Sequence, residues 1–272
     1  MNHKKELLLD KVGKFLFLGT GASAGIPVIG CKCSVCTSLS LCNQRLRPSG
    51  LLRINGCNLL IDVGPDFRQQ ALKYRIDHLD GLLLTHTHYD HIAGVDELRI
   101  YYLNSKQPLP CLLSEESLHE LKGRYNYLFK PVGHVPTLSA QLEFHLLEED
   151  AGEIEFLQLK IGYMSYFQGG TKVNGFRLGD FAYVSDIREY DPSVFLALRG
   201  VRKLVLSALR SEPSPLHLSL DEAVAFAEKV GAEETRLTHL SHAVDHDITN
   251  RKLTPKIQLG FDGLEMEFTY GA

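Results

Sequence analysis

Apolar residues in this chain gather mostly in short runs broken by turn residues, a spacing that predicts strands more often than helices. Residues 14–18 form the first such run. Residues 50–54 and 58–62 follow, joined by Asn55-Gly56, a pair that tolerates positive φ and so favours a hairpin. Residues 81–84 predict a short buried strand, 153–161 an alternating one, and 181–186, 203–207 and 236–239 three more. The runs 257–259 and 264–268 flank Phe261-Asp262-Gly263 and predict a terminal hairpin. Helical spacing appears over 92–102, over a stretch opened by the N-cap Ser114 and running to about residue 129, and behind Ser219. Asp221 and Glu222 occupy the first turn of that last helix, with Ala223, Val224, Phe226, Ala227 and Val230 behind them. Strands in both halves with helices between and after them give an α/β class. No repeat or low-complexity linker divides the chain, so one domain over 1–272 is expected.

The most informative stretch is Thr85-His86-Thr87-His88-Tyr89-Asp90-His91, placed between the strand at 81–84 and the helix at 92–102. Imidazoles and a carboxylate packed this closely gain little from burial unless a cation is shared among them. In an extended loop His86 and His88 point the same way, toward one ion, and Asp90 and His91 can turn toward a second beside it. A solvated histidine-rich loop is the plainer alternative.

Bulk properties narrow the partners. At 272 residues and 44% hydrophobic the chain can bury a sizeable core, and a net charge of -4 supplies no field to attract nucleic acid. No run approaches the ~20 apolar residues of a membrane span, and the apolar part of residues 1–10 is too short for a signal peptide. A cytoplasmic protein is therefore expected, its six cysteines thiols or metal ligands. Cys31, Cys33 and Cys36 are close enough to converge on one Zn²⁺, but a closed tetrahedral site needs a fourth donor, which Thr238-His239-Leu240-Ser241-His242 can offer. Cys42, Cys57 and Cys111 are isolated. The glycine-rich stretch 19–25 predicts a turn rather than a nucleotide loop, since no Gly-Lys-Ser/Thr follows it.

The string at 86–91 resembles the His-x-His-x-Asp-His signature of the metallo-β-lactamase superfamily. From about residue 15 to 268 the chain is similar to the phosphonate-pathway (PhnP-like) phosphodiesterase and its bacterial relatives, most weakly over 109–168. The resemblance implies a four-layer αββα sandwich with the site where the two sheets meet. It also implies two divalent ions, Zn²⁺ or Mn²⁺, and one structural Zn²⁺. His86 and His88 would hold the first ion, Asp90, His91 and His239 the second, and Asp186, at the end of the strand 181–186, would bridge them. Cys31, Cys33, Cys36 and His242 would bind the structural zinc and clip the loop at 30–36 to the C-terminal half. His217 keeps the separation from His239 that the family's non-ligand catalytic histidine keeps, which makes it the candidate general acid. Asp62 is placed near the site as a supporting group or a simple cap. His246 has a counterpart in the relatives but receives no role.

One position departs from the pattern. Where the family has a third histidine on the first ion, ahead of Gly175-Phe176, this chain has Gln168. An amide oxygen is a neutral, harder and weaker ligand than imidazole. Three readings stay open: Gln168 ligates or neighbours a bound water, His134 or His145 substitutes, or the site has lost an ion and most activity. The reaction implied is hydrolysis of a small phosphate ester, a cyclic one included, by water activated between two ions, with Asp90 and His217 as catalytic groups. The expected partner is that ester, with a homodimer as candidate assembly and neither membrane nor nucleic acid. Two alternatives compete: an endonuclease like the transfer-RNA 3′-processing enzymes, whose long basic arm is not found here, and a noncatalytic metal or phosphate-ester binding protein.

Overall fold

The computed structural model describes residues 11–129 and 139–271. Two seven-stranded mixed sheets stack face to face. The first runs through β14 (Glu265–Tyr270), β1 (Lys11–Gly19), β2 (Ser49–Ile54), β3 (Cys57–Ile61), β4 (Gly81–Leu83), β5 (Leu109–Ser114) and β6 (Leu142–Leu147). The second runs through β13 (Ile257–Leu259), β12 (Glu234–Thr238), β11 (Lys203–Ser207), β10 (Phe181–Val184), β9 (Thr171–Leu178), β8 (Leu159–Gln168) and β7 (Ala151–Phe156). Helices α1 (Phe67–Tyr74), α2 (Tyr89–Ile92), α3 (Arg99–Ser105) and α4 (Glu115–Arg124) follow strands of the first sheet. Helices α5 (Val194–Ala197), α6 (Leu220–Val230) and α7 (His246–Asn250) follow strands of the second.

The burial pattern explains this stacking. Phe15, Phe17, Leu59, Leu83, Phe176, Phe181, Tyr183 and Phe268, drawn from both sheets, form one core between them. Phe15 lies 4.8 Å from Phe17 and 4.9 Å from Phe181, ring centre to ring centre, and Phe181 lies 5.0 Å from Phe268. Burying each ring contributes roughly 1.5–3 kcal/mol. The opposite face of the first sheet packs on Phe67, Tyr101 and Leu121 of its helices, and that of the second on Ala223, Phe226 and Ala227 of α6. The result is the αββα sandwich that the resemblance implied. No helix among the described residues is long and apolar enough to cross a membrane.

Four predicted elements differ. The helix opened by Ser114 ends at Arg124 rather than near 129, and a separate 3₁₀ turn covers Asn126–Leu128. The alternating run at 153–161 is not one strand: Leu157 and Gln158, both at positive φ, turn the chain between the antiparallel β7 and β8. The closing runs do not pair with each other. Ile257 and Leu259 bury among the α6-side residues while Met266 and Phe268 enter the core between the sheets, so β13 pairs with β12 and β14 with β1. The helix expected over 92–102 is broken at Gly94, whose N–H bonds Val63 O at 2.8 Å; α2 ends before it and α3 begins after a single 3₁₀ turn. By contrast, the Asn55-Gly56 hairpin and the helix behind Ser219 form as expected. Ser219 accepts the Glu222 N–H while Glu222 accepts the Ser219 N–H, a reciprocal cap.

Candidate metal centre

The site is assembled at the C-terminal ends of strands, where side chains leave the sheets and the scaffold still fixes their direction. Asp62 follows β3, Thr85 and His86 follow β4, Gln168 ends β8, Asp186 follows β10 and His239 follows β12. Asp62, Asp186 and His239 all adopt positive φ, of 59°, 57° and 61°. Non-glycine residues hold that conformation at a cost of roughly 1–2 kcal/mol each, which the surrounding contacts offset.

His86 Nε2 and His88 Nδ1 come within 3.0 Å of each other, aimed at a shared point. Asp90 and His91 lie in the first turn of α2, with the His91 ring 4.1 Å from that of His86, centre to centre. Asp186 lies between the two groups. Its Oδ2 is 3.2 Å from His91 Nε2 and accepts from Ser185 Oγ at 2.7 Å, and its Oδ1 is 3.3 Å from both His239 Nε2 and His217 Nδ1. Asp90 Oδ2 is 3.2 Å from His239 Nε2 and 3.6 Å from His91 Nε2. Gln168, 3% exposed, donates from Nε2 to Asp186 Oδ1 at 2.9 Å, and the same nitrogen lies 3.1 Å from His217 Nδ1. Its Oε1 is buried with no hydrogen-bond partner among the described residues.

Other residues hold this set in place. Asp62 Oδ2 accepts the His91 Nδ1 proton at 2.7 Å, and Asp62 Oδ1 accepts from the Thr85 N–H at 2.8 Å. Asn174 on β9 binds Thr85 O through both its backbone and its side-chain nitrogen, tying the histidine loop to the second sheet. Thr87 donates to Glu120 on α4, and Arg124 donates to Thr87 O while pairing with Glu120 at 2.7 Å. Gly64 lets α2 approach: a Cβ there would stand 2.1 Å from Asp90 O. The glycine-rich turn lies against the residue after His239, with Leu240 N bonded to Thr20 O and Ala22 N to Leu240 O.

Electrostatics divides the buried groups into opposed pairs. Burial opposes ionisation of Asp186, but His239, His91 and His217 outweigh it and hold the carboxyl well below the usual range. Burial is likewise overcome at Asp90 by His91 and His239, and its carboxyl is held low. His91 is pushed well above the ordinary imidazole range because Asp62, Asp90 and Asp186 outweigh its desolvation. His86 is pushed well below it, first by burial and then by His91.

At the far side of His239, Cys31, Cys33 and Cys36 Sγ lie 3.3, 3.6 and 3.5 Å from His242 Nδ1. Burial pushes the Cys36 thiol up to about 11, whereas the Cys36 N–H, bonded to Cys33 Sγ, brings Cys33 down to about 6. Cys42, Cys57 and Cys111 are free thiols outside this group. His134 lies outside the described residues. His145 lies on β6 against Phe156 and 3.5 Å from Glu143, in none of the metal-capable groups, so it does not replace the missing imidazole. His246 is buried rather than solvent-exposed: it meets Arg45 Nη2 at 3.1 Å and Asn250 Nδ2 at 3.1 Å, and its N–H bonds Asn43 Oδ1.

Residues 57–240 match the model of a beta-lactamase superfamily domain. The chain belongs to that superfamily. Within it, a crystal structure of a new diphosphatase from the PhnP family is similar over 97% of this chain and 100% of that one, at 36% identity and a TM-score of 0.89. An octanoyltransferase of Porphyromonas gingivalis is 33% identical over 257 residues, 92% of this chain but 50% of that protein, so the chain spans about half the length of that relative. The anti-Pycsar protein Apyc1 of Paenibacillus harenae is 24% identical, covering 72% of this chain and 84% of that protein. The chain thus has the metallo-β-lactamase fold and is similar to a PhnP-family diphosphatase.

The fold family implies divalent metal ions, and the donors present fit them. His86, His91 and Asp186 form one metal-capable group, and Asp90, His91 and His239 another. His91 Nε2 has carboxylate oxygens of Asp186 and Asp90 at 3.2 and 3.6 Å, and a cation shared among these groups would neutralise them. In the cysteine group, Zn–S near 2.3 Å and Zn–N near 2.0–2.1 Å would set S···N edges of about 3.6 Å. The observed separations lie close to that value.

Proposed function

We propose that the protein hydrolyses a P–O bond in a small phosphodiester at a dinuclear centre. His86, His88 and Gln168 would hold the first ion, Asp90, His91 and His239 the second, and Asp186 would bridge. Cys31, Cys33, Cys36 and His242 would hold a structural zinc. The observation that carries this reading is the position of Asp186, whose carboxylate groups with His86 and His91 on one side and with His217 and His239 on the other. When bound, divalent ions supply positive charge for the phosphate oxygens and make water acidic enough to be a nucleophile near neutral pH.

The chain's own residues do the rest. Asp62 keeps the Nδ1 proton of His91 and thereby leaves its Nε2 lone pair facing the site. Thr85 and Asn174 fix the loop that carries His86. His217, with Nδ1 3.3 Å from Asp186 Oδ1 and Nε2 3.2 Å from the Gln168 amide nitrogen, would donate a proton to the departing oxygen. A diphosphate ester is the second reading, favoured by the 36% identical diphosphatase.

Metal analysis paired with two assays tests these readings. About three metals per chain with turnover of bis-nitrophenyl phosphate is the expected outcome. Turnover of a nucleoside diphosphate alone would favour the second reading. A single zinc without turnover of either substrate would leave a noncatalytic binding protein.

A further inference from the structure

The two imidazoles beside Asp90 are held in different ways. His91 has Asp62 on its Nδ1 at 2.7 Å, whereas His239 Nδ1 is buried with no hydrogen-bond partner among the described residues. Ligating histidines are ordinarily oriented by a bond at the second ring nitrogen. Besides the ring of His217 stacked on it, His239 must therefore take its direction from its main chain, which stands at φ 61°. We infer that Arg45 is the positioning residue for His239: its buried guanidinium locks the chain on both sides of that residue and so aims the imidazole at the ion that Asp90, His91 and His239 would hold. The inference rests on the dinuclear reading above.

The contacts converge on the His239 segment from two sides. The Gly260 N–H bonds Leu237 O at 2.8 Å, ahead of His239, and the Leu240 N–H bonds Thr20 O at 2.9 Å, just past it. Arg45 Nη1 joins these two clasps, donating to Gly260 O at 2.6 Å and to Thr20 Oγ1 at 2.7 Å. Thr20 is not free to rotate, because the same hydroxyl donates to Asp262 Oδ1 at 2.7 Å, and Asp262 Oδ2 accepts the Leu46 N–H. Arg45 Nη2 lies 3.1 Å from His246 Nδ1, on the segment that follows His242. A guanidinium only donates, so that ring nitrogen accepts. Gly21 lets the glycine-rich turn lie on this assembly: a Cβ there would stand 3.0 Å from Arg45 Cβ. Arg45 is 1% exposed, and none of its three partners is a carboxylate. Taking a cation out of water without a direct counter-ion is unfavourable, and well-packed apolar residues often serve stability as well or better. What the guanidinium supplies instead is a planar, rigid set of N–H bonds that reaches both clasps at once.

Co²⁺ is a suitable probe, because its visible absorption reports both how tightly it is held and how its ligands are arranged, without any assay of activity. Protein retaining its cysteine-bound zinc but stripped of other metal is titrated with Co²⁺. Asp90→Asn and His239→Ala mark the class of sites to follow, since both should weaken it. Arg45→Lys keeps the charge but loses the planar fork. It should weaken that class by about 10–100-fold and shift its absorption bands while the cysteine zinc is retained. In a His239→Ala background the same change should have almost no further effect, because Arg45 acts through His239. A general loosening of the fold would instead weaken binding alike in both backgrounds. Thr20→Val removes the hydroxyl at nearly constant shape, should act in the same direction, and carries the test if Arg45→Lys does not fold. Unchanged affinity and absorption in the folded variants, or equal losses with and without His239, would overturn the inference while leaving the dinuclear reading intact. Failure of the wild type to bind any ion beyond the cysteine zinc would remove both.

Discussion

Asp62 and His91 share a proton across 2.7 Å at the floor of the site, both side chains fully buried, and this contact decides which imidazole nitrogen is left for a cation. Asp62→Asn tests it cleanly. Asparagine tolerates the positive φ of this position and can still accept the Thr85 N–H, so the backbone should hold. Its amide can, however, present an N–H to His91 Nδ1 and favour the opposite tautomer. Metal affinity should fall roughly 10–100-fold with little change in melting temperature. Isothermal titration with Zn²⁺ or Mn²⁺ measures this, and an unchanged affinity would mean that His91 does not ligate.

His217 reaches the site from the loop between β11 and α6, its ring stacked on His239 at 4.8 Å. If it supplies the leaving-group proton, His217→Ala should lower turnover by ~10²–10⁴-fold while metal content is unchanged. The loss should be largest for an ester with an alkyl leaving group and small for one with a nitrophenolate, which needs no proton. Equal activity of variant and wild type on the alkyl ester would end the assignment.

The cysteine cluster makes a prediction about pH. The folded Cys33 thiol is brought down to about 6, mainly by the Cys36 N–H, from an ordinary value of 9.0. A depressed pKa favours the thiolate, so Cys33 is ready to ligate at neutral pH, whereas Cys36, pushed up to about 11, must give its proton up to an incoming cation. Zinc uptake by the metal-free protein should therefore release protons and weaken as pH falls, measured by metal analysis after dialysis at each pH. Cys33→Ser should lose one zinc per chain and lower the melting temperature by several degrees, because the loop at 30–36 is no longer clipped to His242. If the variant keeps its zinc, these residues do not form the site.

Much of this arrangement could be read locally. The histidine loop, the cysteine triplet and the Ser219 cap are contiguous strings whose chemistry is visible without the fold; the strand pattern carried the α/β class, and the αββα layering came from the resemblance at 86–91. What stayed hidden depends on meetings between distant strand ends. Nothing in the sequence near Asn174 or Glu120 announces that they brace a loop at 85–87. Leu157-Gln158 turns a hairpin without glycine or asparagine, because the antiparallel pairing of β7 with β8 overrides local preference. His246 showed no partner in sequence because Arg45 and Asn43 come from the other end of the chain.

Gly64 is the sharpest case of a residue that matters without touching a ligand through any side chain. A methyl group there would stand 2.1 Å from Asp90 O, and neither Asp90 nor the first turn of α2 can retreat without moving a carboxylate and an imidazole of the centre. Gly64→Ala should cost about 1–3 kcal/mol in stability through overpacking. It should also reduce affinity for the ion that Asp90 and His91 would hold by about tenfold or more, since a shift of a fraction of an ångström spoils coordination. Gly123 in α4 is the control. A Cβ there meets nothing within 4 Å, so Gly123→Ala should leave metal binding alone and stabilise the fold by roughly 0.5–1 kcal/mol. Urea denaturation and metal titration of both variants separate the two effects. Equal metal affinity in wild type and Gly64→Ala would show that the approach of α2 to β3 does not set the geometry of Asp90.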